Sequence, residues 1–135
     1  MNRWWQIALG VLLVLALVLG GVYLYARAQM PALRGRTPYA SPEEAMQALI
    51  ADQYSGVQKV EIVRSGPDMP VVGNLWFIEA RVWADARRDG KAMPAEGDNP
   101  GCFFLHLSQG WVFVPEGQYP ELLGIGLRLL GDPSV

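Results

Sequence analysis

The most distinctive feature of the chain is an uninterrupted apolar segment near its N-terminus. Residues 7–26 carry no charged side chain, and Leu and Val dominate the composition. A helix of this length rises about 30 Å, at roughly 1.5 Å per residue, which matches the hydrocarbon core of a bilayer. Trp4 and Trp5 precede the segment and Tyr23 and Tyr25 lie at its end, as expected of aromatics at the two headgroup layers. The pattern predicts an N-terminal transmembrane anchor over residues 1–26.

The segment is either retained or removed, and its length and the residues after it bear on the choice. Ala26, Arg27 and Ala28 form a small-x-small site, with a possible cut before Gln29. The apolar stretch of a cleaved signal peptide is usually about 7–15 residues, and the segment here is longer. We therefore expect a retained signal-anchor, with a secreted form cleaved after Ala28 as the alternative.

The arginines beside the segment give conflicting indications of orientation. Arg3 precedes the segment, whereas Arg27, Arg34 and Arg36 follow it. Basic flanks tend to stay in the cytoplasm, so this count places the rest of the chain inside the cell. A short tail before a first span that doubles as a signal commonly stays inside instead. We favour this second arrangement and expect a single-pass membrane protein of a bacterial-type cell envelope, with an extracytoplasmic domain.

The remaining chain has the pattern of a basic linker followed by a small α+β domain. Residues 27–40 contain prolines, a glycine and arginines without apolar periodicity, which predicts a juxtamembrane linker. Ser41, Pro42 and Glu44 form a helix start with a capping box, and apolar positions at helical spacing extend this helix to Tyr54. Strands are predicted over residues 57–64, 75–86, 103–108 and 111–114, with loops over residues 65–70 and 87–100, and a short C-terminal helix over residues 120–130.

The alternation within the strands predicts a sheet with two different faces. We place Val82 opposite Leu105 and Leu107 opposite Val112, and this pairing sorts the side chains consistently. One predicted face is aliphatic and would receive the first helix of the domain: Ile78, Ala80, Val82, Ala84, Phe103, Leu105, Leu107, Val112 and Val114. The other face mixes aromatic and charged side chains, and its members are the candidate interface: Phe77, Glu79, Arg81, Trp83, Phe104, His106, Trp111 and Phe113. Such a face is too apolar to be left in water. The C-terminal segment, a second copy of the chain or a partner protein would cover it.

The predicted order of one helix and four antiparallel strands resembles the cystatin-like and NTF2-like folds, in which a curved sheet wraps a helix. The resemblance covers the element order of residues 41–115 and no sequence motif. It implies a curved four-stranded sheet and carries no functional residue.

Charge and composition then exclude several classes of protein. Residues 1–37 carry a net charge of +4, and residues 38–135 a net charge of −6. An acidic domain lacks the basic face that nucleic-acid phosphates require, so we expect no nucleic-acid partner. Cys102 is the only cysteine of the chain, which excludes a disulfide scaffold.

The residues that most often carry chemistry stand without the partners that chemistry needs. His106 is the only histidine, and Cys102 has no basic activator near it in the sequence. Acidic residues around the long loop lack the spacing of a calcium site: Asp85, Asp89, Glu96 and Asp98. We expect no catalytic residue, no cofactor and no metal.

These observations predict a non-catalytic binding or accessory module that is tethered to the membrane by residues 1–26 and linked by residues 27–40. Residues 41–135 would form the domain. Its partners would be the lipid bilayer and either a second copy or an envelope protein. A small-molecule or enzymatic pocket in the concavity of an NTF2-like sheet is the alternative.

Overall fold

The computed structural model describes residues 2–131, in which three helices accompany one sheet. The predicted α+β class is confirmed, with a long apolar N-terminal helix and a four-stranded antiparallel sheet. The elements are α1 (Arg3–Arg34), α2 (Pro42–Gln53), β1 (Tyr54–Asp68), β2 (Leu75–Arg87), β3 (Gly101–Leu107), β4 (Gly110–Val114) and α3 (Pro120–Leu130). Met1 and residues 132–135, which the predicted anchor and domain include, lie outside the described part of the chain.

Helix α1 has two parts with different surroundings. Its side chains are exposed from Arg3 to Gly21. Beyond that point Val22, Ala26, Met30 and Leu33 are buried. Their spacing of three and four residues places them on one side of the helix.

The linker predicted over residues 27–40 is wrong in its first part, because α1 continues to Arg34 and passes Pro31 without ending. The buried stripe explains the difference. Two of its four members lie in the predicted membrane segment and two in the predicted linker, so neither segment shows the periodicity alone. Packing of this stripe on the domain stabilises a helix that local propensity does not predict.

The sheet has the order β1-β2-β3-β4, and each neighbouring pair is antiparallel. Strand β1 is longer than predicted, because residues 65–68 continue to pair with β2 where we expected a loop. Pro67 is accommodated because β1 is an edge strand, where a missing N–H need not interrupt the ladder.

The predicted register is wrong for the pairing of β2 with β3 and for the pairing of β3 with β4. Leu105 lies opposite Leu75 rather than Val82, and Val112 lies opposite Leu105 rather than Leu107. The long loop after β2 causes the first difference. Its last residues run back along β2, where Val82 and Asp98 exchange two backbone hydrogen bonds of 2.8 Å, so that β3 begins only opposite Glu79.

Helices cover the sheet on both faces. The first core joins α2 to Ile78, Ala80, Val82, Cys102 and Phe104, and we call this side the α2 face. The second core joins α3 and the end of α1 to the other face, which we call the α1/α3 face: Met30, Leu33, Leu75, Leu105, Leu107, Val112, Val114, Leu123 and Leu127. The predicted single aliphatic face is therefore split between two cores. The domain has three layers, and the end of α1 belongs to one of them.

Small residues allow α3 to approach both of its neighbours. A Cβ atom at Gly126 would lie 3.0 Å from the carbonyl oxygen of Val22 and would overlap the Cβ of Ala26. On the sheet side, buried Asn74 donates a 2.9 Å hydrogen bond from its amide Nδ2 to the carbonyl oxygen of Gly124. These contacts fix α3 between α1 and the start of β2.

Candidate functional site

The eight residues of the candidate interface do not share one face of the sheet. The register separates Phe104, His106, Trp111 and Phe113, on the α2 face, from the other four members. Phe77, Glu79, Arg81 and Trp83 alternate with the α2-face residues of β2 and therefore point to the opposite side. The prediction of a single aromatic surface is wrong, and the two groups have different surroundings.

The group on the α2 face is largely covered by the chain itself. Phe104 is fully buried, and the ring of Trp111 stacks on His106 at 4.6 Å. Tyr39 exchanges two backbone hydrogen bonds with Trp111, of 2.8 and 2.9 Å, and thereby extends the sheet beyond β4. The guanidinium of Arg36 lies 5.9 Å from the centre of the Phe113 ring. The segment before α2, with α2 itself, thus covers this group, where we expected the C-terminal segment, a second copy of the chain or a partner protein.

The second group forms a mixed aromatic and charged surface on β1 and β2. The Phe77 ring lies 4.8 Å from that of Phe103 and has the Arg64 guanidinium 4.6 Å above it. The Lys59 ammonium lies 4.9 Å from the Trp83 ring. Cation–π contacts at exposed sites contribute about 0.5–1 kcal/mol each.

We call this group, with its two cations, the β1–β2 surface: Lys59, Arg64, Phe77, Glu79, Arg81 and Trp83. Asn99 donates a 2.7 Å hydrogen bond to the Glu79 carboxylate at its margin. Trp and Arg are the side chains that most often anchor protein interfaces. Four of the eight predicted residues therefore lie together on one surface.

On the α2 face of the sheet, opposite to this surface, β1 carries a row of exposed aliphatic side chains that we did not single out from the sequence. Val57, Val60 and Ile62 of this row lie opposite Ala84, Val82 and Ala80 of β2. Val57, Val60, Ile62 and Val63 are between 40% and 53% exposed. The strand lies at the edge of the sheet, and its pairing with β2 shifts between Val57 and Lys59 and again between Ile62 and Arg64. Such irregularities protect an edge against indiscriminate pairing. In the sequence, Val57 and Val63 are out of phase with Val60 and Ile62, so β1 lacks the apolar–polar alternation of a strand with one buried face. This lack of alternation could have indicated a poorly covered edge strand.

A polar cleft of about 640 Å³ lies at the end of β2 beside the long loop. The Tyr54 hydroxyl donates a hydrogen bond to the Asp98 carboxylate. The Arg87 guanidinium bridges Asp98 at 3.2 Å and Asp89 at 2.7 Å. Two of the loop aspartates considered above as a cation site therefore pair with an arginine instead. Among residues 2–131, no three His, Cys, Asp or Glu side chains come together as metal ligands.

Two titratable groups of this cleft, the Tyr54 hydroxyl and the Cys102 thiol, are held in their neutral forms. Burial, followed by the hydrogen bond to Asp98, raises the pKa of Tyr54 above its ordinary value. Burial, with repulsion from Glu116, raises the pKa of Cys102 to about 11. The thiolate is the reactive form of cysteine, so Cys102 is a poor nucleophile at neutral pH. The cleft offers hydrogen bonds and balanced charge to a small polar molecule.

No family model, curated protein or solved structure is significantly similar to this chain. The resemblance in element order to cystatin-like and NTF2-like folds accordingly gains no support from a structural neighbour.

Proposed function

We propose that the protein is a single-pass membrane-anchored module whose domain binds a partner protein without catalysing a reaction. The observation that carries the proposal is the division of α1, whose apolar side chains are exposed as far as Gly21, whereas beyond it one side of the helix, with Val22, Ala26, Met30 and Leu33, is buried against the domain. An exposed apolar helix of that length needs lipid or another apolar cover. The buried half joins the anchor to the domain without a flexible connection.

The contacts of α1 favour a retained anchor over a cleaved signal. A cut after Ala28 would remove Val22 and Ala26 from the domain, where Ala26 packs on Gly126. It would also remove the Tyr25 hydroxyl, which accepts a 3.0 Å hydrogen bond from the backbone N–H of Tyr119 at the start of α3. A cleaved form would leave the α1-facing side of α3, at Gly126, uncovered, at a cost in stability.

The proposed binding region is the edge strand β1 with the side chains that flank it on the two faces of the sheet: the β1–β2 surface on one face and the exposed aliphatic row on the α2 face. Aromatic and arginine anchors beside an unpaired strand edge are features of protein interfaces. A second copy of this chain and a different envelope protein are both compatible with such a surface. We further propose that the domain is extracytoplasmic, on the reasoning given for a short N-terminal tail.

Fractionation of cells expressing the full chain tests the anchor. We expect a species of the full 14.9 kDa mass that stays with the membrane after alkaline carbonate extraction. A carbonate-soluble species lacking residues 1–28 would contradict the proposal.

Orientation is tested with Lys91→Cys, at an exposed position, in a Cys102→Ala background. We expect a membrane-impermeant maleimide to label it in intact cells with a permeable outer membrane, and labelling only after lysis would place the domain inside.

Site-specific photo-crosslinking tests the binding region. We expect a cross-linker at Ile62, in the aliphatic row, to give a defined protein adduct in membranes. The same cross-linker at Lys91, an exposed position in the long loop, serves as the control. Equal patterns at the two positions would contradict the assignment of β1 as the binding edge.

A small-molecule site is the second candidate function, and the cleft around Tyr54, Arg87 and Asp98 favours it. The similarity of the element order to NTF2-like folds is compatible with it. We expect a ligand of this cleft to raise the melting temperature of the wild type and to lose that effect in Asp98→Asn. A ligand that acts equally on both proteins would bind elsewhere.

A further inference from the structure

The outer side of α3 carries an apolar stripe directly beside α1. Leu122 and Leu129 are 36% and 43% exposed, and half-buried Ile125 lies between them at helical spacing. Residues three and four apart are neighbours on a helix surface. Gly126, which packs on Ala26 of α1, is therefore adjacent to both leucines, and the stripe borders α1.

The charged residues of α3 lie away from this contact. Glu121 and Arg128 are exposed and neighbour Ile125 on the side opposite Gly126. Arg128 donates a 2.7 Å hydrogen bond from Nε to the carbonyl oxygen of Val72. This bond holds a loop in which the side chain of Val71 is 100% exposed. The apolar stripe of α3 therefore lies beside α1, and the charged side chains of α3 lie on the far side of the stripe from α1. Together with the exposed Val71, this arrangement is amphipathic.

The contacts with α1 place this stripe at a defined depth. Gly126 contacts Val22 and Ala26, which are in the last part of the apolar segment 7–26. The Tyr119 ring, exposed at the start of α3, lies 5.9 Å from the ring of Tyr25. Tyrosines of this kind are typical of the headgroup layer. With the segment in a bilayer, α3 lies at the boundary between headgroups and acyl chains.

From this juxtaposition we infer that α3 is a second membrane contact, which inserts Leu122, Ile125 and Leu129 into the interfacial layer of the bilayer that α1 spans. The inference rests on the proposed anchor. The occupant is lipid because the stripe continues the exposed apolar surface of α1. A helix with one apolar side and charges on the other lies in the interface plane rather than crossing it. The contact fixes the domain against the bilayer and orients the β1–β2 surface relative to it.

Spin-label accessibility in the full chain tests this inference. The Cys102→Ala protein is reconstituted into vesicles of phosphatidylcholine and phosphatidylglycerol with one nitroxide at Leu129→Cys, and separately at Leu122→Cys. Oxygen concentrates in the acyl layer, whereas a polar nickel chelate is excluded from it. We expect a several-fold higher ratio of oxygen to nickel collision rates at both α3 positions than at Ile62→Cys, an exposed aliphatic position on β1.

A label at Leu13→Cys, in the exposed part of α1, separates the two levels of the proposal. A high ratio at Leu13 with ratios at Leu122 and Leu129 equal to that at Ile62 would overturn the membrane contact of α3 and leave the anchor intact. A low ratio at Leu13 would overturn the anchor, and the contact of α3 with it. High ratios at Leu13, Leu122 and Leu129 support both.

Discussion

Replacing Gly126 with alanine tests the rigid connection between the anchor and the domain. A Cβ atom at this position would overlap the Cβ of Ala26 and lie 3.0 Å from the carbonyl oxygen of Val22, and backbone cannot move aside as a flexible side chain can. In a helix that packs on nothing, the same substitution stabilises by about 1 kcal/mol through helix propensity. Overpacking of a tight contact costs about 1–3 kcal/mol, and the direct overlap here favours the upper end of that range. We therefore expect Gly126→Ala to lower the free energy of unfolding by about 2 kcal/mol.

The measurement is denaturant unfolding of the full chain in detergent micelles, followed by near-ultraviolet circular dichroism of the domain's aromatic side chains. Gly21→Ala is the matched control, since no atom lies within 4 Å of a Cβ at that position. At this open helical position only the helix-propensity gain of up to about 1 kcal/mol applies, so we expect Gly21→Ala not to lower the free energy of unfolding.

A double variant refines the test, because exchanging the two small residues removes the overlap. Ala26→Gly combined with Gly126→Ala should be more stable than the sum of the single variants predicts, by about 1 kcal/mol, as expected for residues in direct contact. Gly126→Ala that is as stable as the wild type, or more stable, would refute the packing of α3 on α1. The anchor and domain would then be connected flexibly.

Two further predictions concern buried polar groups. Cys102 has a pKa of about 11 in the folded protein against an ordinary value of 9.0, so the unfolded chain loses its proton first as the pH rises. Stability is therefore lost as the pH rises from about 9 to 11, by about 1.4 kcal/mol per pH unit, and the wild type should lose more than Cys102→Ala over this range in denaturant titrations at each pH. Equal losses in both proteins would show that the thiol is not buried. Asn74→Ala removes the hydrogen bond to Gly124 and should lower the free energy of unfolding by about 1–3 kcal/mol, whereas exposed Asn99→Ala should change it little. Equal effects of the two alanines would contradict the anchoring of α3 by Asn74.

The candidate site shows how far local patterns reach. Phe77, Glu79, Arg81 and Trp83 alternate along one strand, and the structure keeps them on one side because alternation is a property of the strand itself. Their expected neighbours Phe104 and His106 are on another strand, so their placement depended on register. The Arg64 and Lys59 contacts with the rings of β2 depend on pairing between strands and had no signal in the sequence.

The sequence by itself determined those features of the protein that arise from neighbouring residues. The apolar N-terminal helix follows from the composition of its segment. The start of α2 follows from Ser41, whose hydroxyl caps the helix by accepting a 3.2 Å hydrogen bond from the backbone N–H of Glu44. Helix α3 has the predicted bounds because Pro120 begins it and Gly131, in a left-handed conformation, ends it. Tertiary structure alone decided the pairing of β2 with β3, the extension of α1 to Arg34 and the residues that cover each face. Each depends on contacts between distant segments, because strand register and helix burial gain their free energy only when the partner surface is in place.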